Sequence, residues 1–139
     1  MNRQQETTTR VSTAGIARKG DKYLVALRKP GSSIGESWEF PGGKQLFTET
    51  PQQALKREYL EEFSVEIVVG ESVYTGHFEN RNTRYRLEAY QVQLISEAFV
   101  LKEHQAIRWV SLKDLKHLPM AQSDRSIMRH LEQRLYEEA

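Results

Sequence analysis

Three glutamates at positions i, i+3 and i+4, Glu58, Glu61 and Glu62, constrain this chain more than any other feature of it. They lie near the end of GKQLFTETPQQALKREYLEEFSV, residues 43–65. A helix turning about 100° per residue puts all three on one face. Like charges at these spacings repel and weaken a helix. A cation placed among them removes the conflict, and hard carboxylate oxygens suit Mg²⁺ or Mn²⁺. The three glutamates alone leave a solvated acidic face open as the alternative.

The residues before them narrow the choice. Pro41-Gly42-Gly43 interrupts any regular element and lets backbone approach a ligand closely. Thr50-Pro51-Gln52-Gln53 predicts a helix start, with Thr50 as N-cap, Pro51 in the first turn and Gln53 closing a capping box. The order is therefore strand, glycine-rich loop, then a helix carrying the carboxylates. This stretch resembles the Nudix box, G-x5-E-x7-R-E-U-x-E-E-x-G-U, where U is a bulky aliphatic residue. Gly43, Glu49, Arg57, Glu58, Glu61, Glu62 and Val65 match it in register. Tyr59 departs at the first aliphatic position and Ser64 replaces the last glycine, which is strained if that position needs a positive φ. Leu46 and Thr48 stand where many members carry Glu and Gly.

The resemblance, over roughly residues 11–131, implies an α+β domain with the Nudix α/β/α sandwich and a mixed β-sheet. It also implies that Glu58, Glu61 and Glu62, with a backbone carbonyl from Gly42 or Gly43, hold Mg²⁺, for which Mn²⁺ can substitute. Arg57 and Glu49 then orient the carboxylates, Glu61 or Glu62 serves the chemistry, and Glu103 adds a metal-binding or base carboxylate on the pattern E-H-x-x-x-x-W. In MutT-like members the run W-E-F-P-G-G-K, here with Phe40, borders the substrate. Basic residues after the preceding strand, here Arg28 and Lys29, can face the phosphates; ordinary edge-strand charge is the other reading for both. His77-Phe78 either helps line a base pocket or is buried in the sheet core. Asp124, with Gln122 as its competitor, stands where such enzymes read the base edge, although Ser123 and Asp124 also make good N-caps.

Along the rest of the chain, residues 1–10 read as a loose polar tail and 11–139 as one domain, a length sufficient for one core. Residues 11–17 and 23–27 read as strands joined in a hairpin at Lys19-Gly20-Asp21, followed by a small-residue loop at 31–37. Residues 66–78 contain strand, Asn80-Arg81-Asn82 is a turn, and 84–95 is a strand with Tyr85, Leu87 and Ala89 on one face. The basic group Arg81, Arg84 and Arg86 is short and reads as a solvated hairpin. Residues 107–110 form a short strand, with His104 structural or exposed before it. Ser111 to Asp114 can cap a brief helix. A final helix at 123–137 buries Ile127, Met128, Leu131 and Leu135.

A formal net charge of +1 gives no case for a nucleic-acid or membrane partner, and no apolar run suits a signal peptide or a span. The absence of cysteine excludes thiol catalysis and makes a cytoplasmic setting the expectation. The expected partner is a nucleotide substrate, with the protein a monomer or homodimer. The resemblance implies hydrolysis of a nucleoside triphosphate to the monophosphate and pyrophosphate, with 8-oxo-dGTP as first expectation and a cytosine nucleotide as second. Another Nudix substrate remains open, although the proline associated with ADP-ribose members is not apparent after Val65. A non-catalytic nucleotide-binding or DNA-binding module conflicts with the retention of every box carboxylate.

Overall fold

The computed structural model describes residues 9–31 and 36–138. In chain order the elements are β1 (Arg10–Ile16), β2 (Arg18–Lys19), β3 (Lys22–Arg28), β4 (Trp38–Glu39), α1 (Pro51–Phe63), β5 (Ile67–Asn80), β6 (Thr83–Leu94), β7 (His104–Ser111), α2 (Leu112–Leu115) and α3 (Gln122–Glu138). One sheet runs β1-β6-β5, with β1 parallel and β5 antiparallel to β6. In the second sheet β3 pairs antiparallel with β2, β4 and β7.

Apolar residues alternate across these strands and build two cores, one on each side. Tyr23 and Val25 of β3, with Trp38, Leu87 and Ala89, pack with Ile127, Met128 and Leu131 of α3. Leu24 and Ala26 of β3, on the opposite face, pack with Leu55, Tyr59 and Phe63 of α1. A helix thus covers each side of the strands, the expected α/β/α sandwich with mixed pairing. Each fully buried Leu or Ile in such a core contributes roughly 1.5–3 kcal/mol.

Several expectations are corrected. The first strand does not form a long hairpin with the second: β1 pairs in parallel with β6 over all seven residues, Arg10 included. Only Arg18 and Lys19 fold back onto β3, through a turn with Gly20 at φ 60°. The extended register on β6 satisfies far more backbone groups than the short turn could. The tail expected at 1–10 therefore ends before Arg10; residues 1–8, and 32–35 of the small-residue loop, lie outside the described residues. Leu135 is 39% exposed rather than core, one turn past the last buried residue of α3. The short strand expected at 107–110 runs from His104 to Ser111.

Helix α1 is built as its sequence requires. Thr50 Oγ1 accepts from the Gln53 backbone N–H at 3.1 Å, and Gln53 Oε1 accepts from the Thr50 N–H at 2.9 Å. A cap of this kind stabilises by about 1 kcal/mol. The helix ends at Ser64, which takes the left-handed conformation (φ 57°, ψ 36°) and donates its N–H to Leu60 O at 3.0 Å. Tyr59 is fully buried, and a Cβ at Gly15 would run into its ring. The β1 glycine is what makes room for the tyrosine.

Candidate active site

The glycine-rich loop is fastened to β1. Thr13 donates both its backbone N–H and its hydroxyl to Gly43 O, each at 2.8 Å, and Gly15 N–H donates to Pro41 O at 2.7 Å. A side chain on Gly42 would strike the β1 backbone at Thr13, and one on Gly43 would strike the Glu58 carboxyl. The two glycines therefore let the loop lie flat between β1 and the acidic helix. The Gly43 carbonyl is already doubly hydrogen-bonded, which leaves Gly42 as the better backbone donor to a cation.

Arg57 organises the carboxylates. Its Nε donates to Glu49 Oε2 at 2.6 Å and its Nη2 to Glu49 Oε1 at 3.1 Å, a bidentate pair. Nη1 reaches Glu58 Oε2 and Glu61 Oε1, both at 3.1 Å, and Nη2 also donates to Lys44 O at 2.9 Å. Hydrogen bonding to Arg57 holds the Glu49 carboxyl below its ordinary pKa. The Glu49 bonds in turn raise the Arg57 pKa further.

The three box glutamates do not share one environment. The Glu61 side chain is 59% exposed and turns to Arg57. Glu58 and Glu62 are mostly buried and meet each other. Burial, then the hydrogen bond and charge of Glu58, then the Glu39 charge, push the Glu62 carboxyl well above the usual carboxylate range. Among the described residues, no three Asp, Glu, His or Cys side chains stand together as a metal-ligand cluster. The donor chemistry still fits a hard cation. Glu58 and Glu62, crowded together with Glu58 against Gly43, repel one another as anions, and a hard cation such as Mg²⁺ between them would offset that repulsion.

Next to this pair lies a cleft of about 250 Å³, lined by Arg28, Glu39, Phe40, Gly42, Gly43, Lys44, Phe78 and Asp124, among others. Arg28 Nη1 donates to both Glu39 oxygens, at 3.0 and 3.2 Å. Burial works against the Arg28 charge, but Glu39, with Glu62 and Glu103, holds its pKa above the ordinary value. Phe78 stacks on Tyr85, with ring centroids 5.0 Å apart, and Lys44 Nζ stands 5.4 Å over the Tyr85 ring. Asp124 Oδ1 accepts from the Phe40 backbone N–H at 2.9 Å. Burial first, then the Glu39 charge, pushes the Asp124 carboxyl up to about 8, while the Phe40 N–H and Arg28 pull the other way.

The structure thus brings Glu58, Glu62, Arg57, Gly42, Gly43, Arg28, Phe40, Phe78 and Asp124 to one region. Phe40 is itself a core residue, 3% exposed, with an edge on the cleft. Lys29 and Gln122 are exposed and do not line the cleft, and neither does His77. Asp124 lies in the first turn of α3, and its Oδ1 bonds across to Phe40 rather than capping the helix. Glu103 is exposed just before β7, near enough for Arg28 to feel its charge. His104 is neither exposed nor a bystander: its side chain is 0% exposed and its Nε2 lies 2.7 Å from Glu39 Oε2. Sequence reasoning passed over Glu39; of its two readings of His104, structural or exposed, the structure bears out the first. The signal for Glu39 was present, since alternation puts it on the face opposite Trp38 and Phe40, toward α1.

Comparison with known proteins finds relatives by sequence and by fold. The family model described as "NUDIX domain" matches residues 13–130. The chain is 35% identical over 111 residues to the CTP pyrophosphohydrolase of Escherichia coli (strain K12), spanning 80% of this chain and 82% of that protein. It is 44% identical over 90 residues to the 8-oxo-dGTP diphosphatase of Haemophilus influenzae, spanning 63% and 58%. The fold superposes on the solution structure of the E. coli ORF135 protein with a TM-score of 0.81 at 30% identity, covering 91% of this chain and 90% of that one. It superposes on a MutT protein from Methanosarcina mazei Go1 with a TM-score of 0.80, covering 96% and 97%; at 21% identity this is a likeness of fold.

Proposed function

This chain is a Nudix hydrolase of the MutT-like branch, and on that premise we propose that it hydrolyses a nucleoside triphosphate to the monophosphate and pyrophosphate with Mg²⁺. The observation that carries the reading is Asp124, held by the Phe40 N–H in a cleft that Arg28 and Lys44 also line, with the Glu58–Glu62 pair adjoining it at Gly43. On this reading the cleft takes the base and the phosphates, and the cation sits at its edge.

Glu58 and Glu62, with the Gly42 carbonyl, are the residues to hold the cation. Bound there, Mg²⁺ supplies charge screening and Lewis acidity for attack by water on a phosphate. The chain's own residues do the rest. Arg57 locks Glu58 and Glu49 in place, so the ligand geometry is set before substrate arrives. Arg28 and Lys44 offer positive charge to the phosphates. Glu103, exposed just before β7, is the carboxylate we assign to accept a proton from water, while Glu61 stays with Arg57 on the solvent side.

Asp124 ranks the candidate bases. A protonated carboxyl both donates and accepts, and so pairs with cytosine N3 and N4 or with the O6 and N7–H of 8-oxoguanine. An ionised carboxylate only accepts. Cytosine still offers it the outer N4–H, whereas on its O6 and N7 edge 8-oxoguanine offers one N–H flanked by two carbonyl oxygens; its N1 and N2 edge would suit the carboxylate, so the ranking is for the O6 and N7 edge. CTP or dCTP therefore comes first and 8-oxo-dGTP second, reversing the order expected from the sequence. The 35% identity to a CTP pyrophosphohydrolase across most of both chains supports that order. The test is pyrophosphate release with Mg²⁺ across CTP, dCTP, 8-oxo-dGTP, GTP and ADP-ribose, with products identified by chromatography. No turnover of any triphosphate, with the fold intact, would leave a nucleotide-binding module instead.

A further inference from the structure

We propose that His104 is a positioning residue that ties the substrate-facing wall of the cleft to the acidic helix, an inference that rests on the hydrolase reading above. Strand β7 meets β3 in regular antiparallel register from Ser111 to Ala106, and then slips: Leu27 pairs with Ala106, but Arg28 pairs with His104. The extra residue, Gln105, is exposed and donates its side-chain amide to Arg28 O at 2.9 Å. Ile107 and Trp109 face the α1 core, while Ala106 and Val110 face the other. Unbroken alternation would therefore turn Gln105 toward α1 and His104 away from it. The bulge reverses that parity at one residue, and bulges of this kind re-aim side chains next to functional sites.

What the bulge aims is specific. The imidazole stacks on Phe63 of α1, with ring centroids 4.9 Å apart and planes 22° from parallel. Nε2 lies 2.7 Å from Glu39 Oε2; a carboxylate already paired with Arg28 is an acceptor, so Nε2 carries the hydrogen. Nδ1 is buried without a hydrogen-bond partner and lies 3.7 Å from Glu62 Oε1. One ring thus stands between Glu39, which fixes Arg28, and Glu62 of the acidic pair. With the hydrogen on Nε2, Nδ1 offers only a lone pair and makes no hydrogen bond to an ionised Glu62; the ring edge instead fills the buried space beside the acidic pair. His104 holds Arg28 in line through Glu39, and the same ring, stacked on Phe63, backs Glu62 by packing.

Three variants separate the hydrogen bond to Glu39 from the packing of the ring. His104→Phe keeps the volume and the stacking on Phe63 but has no nitrogen. In His104→Gln the amide nitrogen replaces the Nε2 donor, whereas the shorter side chain of His104→Asn does not reach Glu39. Each is measured for Mn²⁺ affinity by electron paramagnetic resonance without nucleotide, for kcat and KM with CTP, and for melting temperature. The expected pattern for His104→Phe is a KM raised about 10-fold with Mn²⁺ affinity within about twofold of the parent, because the ring volume stays and the donor to Glu39 is lost. His104→Gln should restore KM, and His104→Asn should not. If His104→Phe does not fold, the difference in KM between the other two carries the test. Variants that lower only the melting temperature, with Mn²⁺ affinity and KM within about twofold of the parent, overturn the role of His104 alone. A parent protein that neither binds Mn²⁺ nor releases pyrophosphate overturns the hydrolase reading with it.

Discussion

On the proposed reading of Asp124, raising the pH should lower turnover of 8-oxo-dGTP faster than that of CTP, because one carboxyl changes from donor to acceptor. Burial pushes Asp124 up to about 8. Its protonated fraction therefore falls from roughly nine-tenths at about pH 7 to roughly one-tenth at about pH 9. The ratio of kcat/KM for 8-oxo-dGTP to that for CTP should drop about 10-fold over this interval, since mispaired polar groups in a pocket are costly. Taking the ratio removes every pH effect common to both reactions. Asp124→Asn supplies the control: its amide oxygen still accepts from the Phe40 N–H, and its NH₂ donates at every pH. The nucleotide's own titration appears in both enzymes and cancels between them. The assay is steady-state pyrophosphate release with each substrate at five or so pH values. A parent ratio that stays constant, or one that falls equally in Asp124→Asn, would refute the assignment of Asp124 to the base.

The same carboxyl makes a stability prediction of definite sign. The Asp124 pKa is raised on folding, so its stabilising contribution is complete at low pH, below the unfolded value of 3.8, and is lost as pH rises through about 8. Melting temperatures from acid to pH 9 should fall more steeply for the parent than for Asp124→Asn. Ser64→Gly should stabilise by up to about 1 kcal/mol, because it relieves Cβ strain at φ 57°; a lower melting temperature would refute it. Glu62→Gln should lower turnover by orders of magnitude with the fold intact, and Glu61→Gln by less, because Glu61 is turned to Arg57 and solvent; equal losses would show that Glu61 swings inward on loading. EDTA should abolish activity, and Mg²⁺ or Mn²⁺ should restore it. Gly15→Ala should cost about 1–3 kcal/mol in urea unfolding by crowding the Tyr59 ring, and a second change, Tyr59→Leu, should recover part of it.

Local chemistry was legible along the chain wherever a rule acts within a few residues. The Thr50–Gln53 capping box, the start of α1 at Pro51 and the Ser111 cap follow from backbone sterics and nearest partners, while the left-handed Ser64 was raised only through the glycine that the Nudix box has there. The alternation of Tyr85, Leu87 and Ala89 follows from the two-residue period of a strand. The acidic helix behind a glycine-rich loop, the core of the candidate site, was readable for the same reason. Pairing partners were not. Nothing near β1 announces that it runs parallel to β6, whose paired residues lie 75 positions further on, because that choice depends on which buried faces fit together. The separation of Glu61 from Glu58 and Glu62 was equally hidden. A helical wheel puts the three together, and only the packing of α1 decides which carboxylates are buried and which one Arg57 draws to the surface. His104 is the clearest case. Strict alternation along β7 turns it away from the acidic helix, and only the one-residue slip against β3, set by tertiary pairing, brings its ring between Glu39 and Glu62.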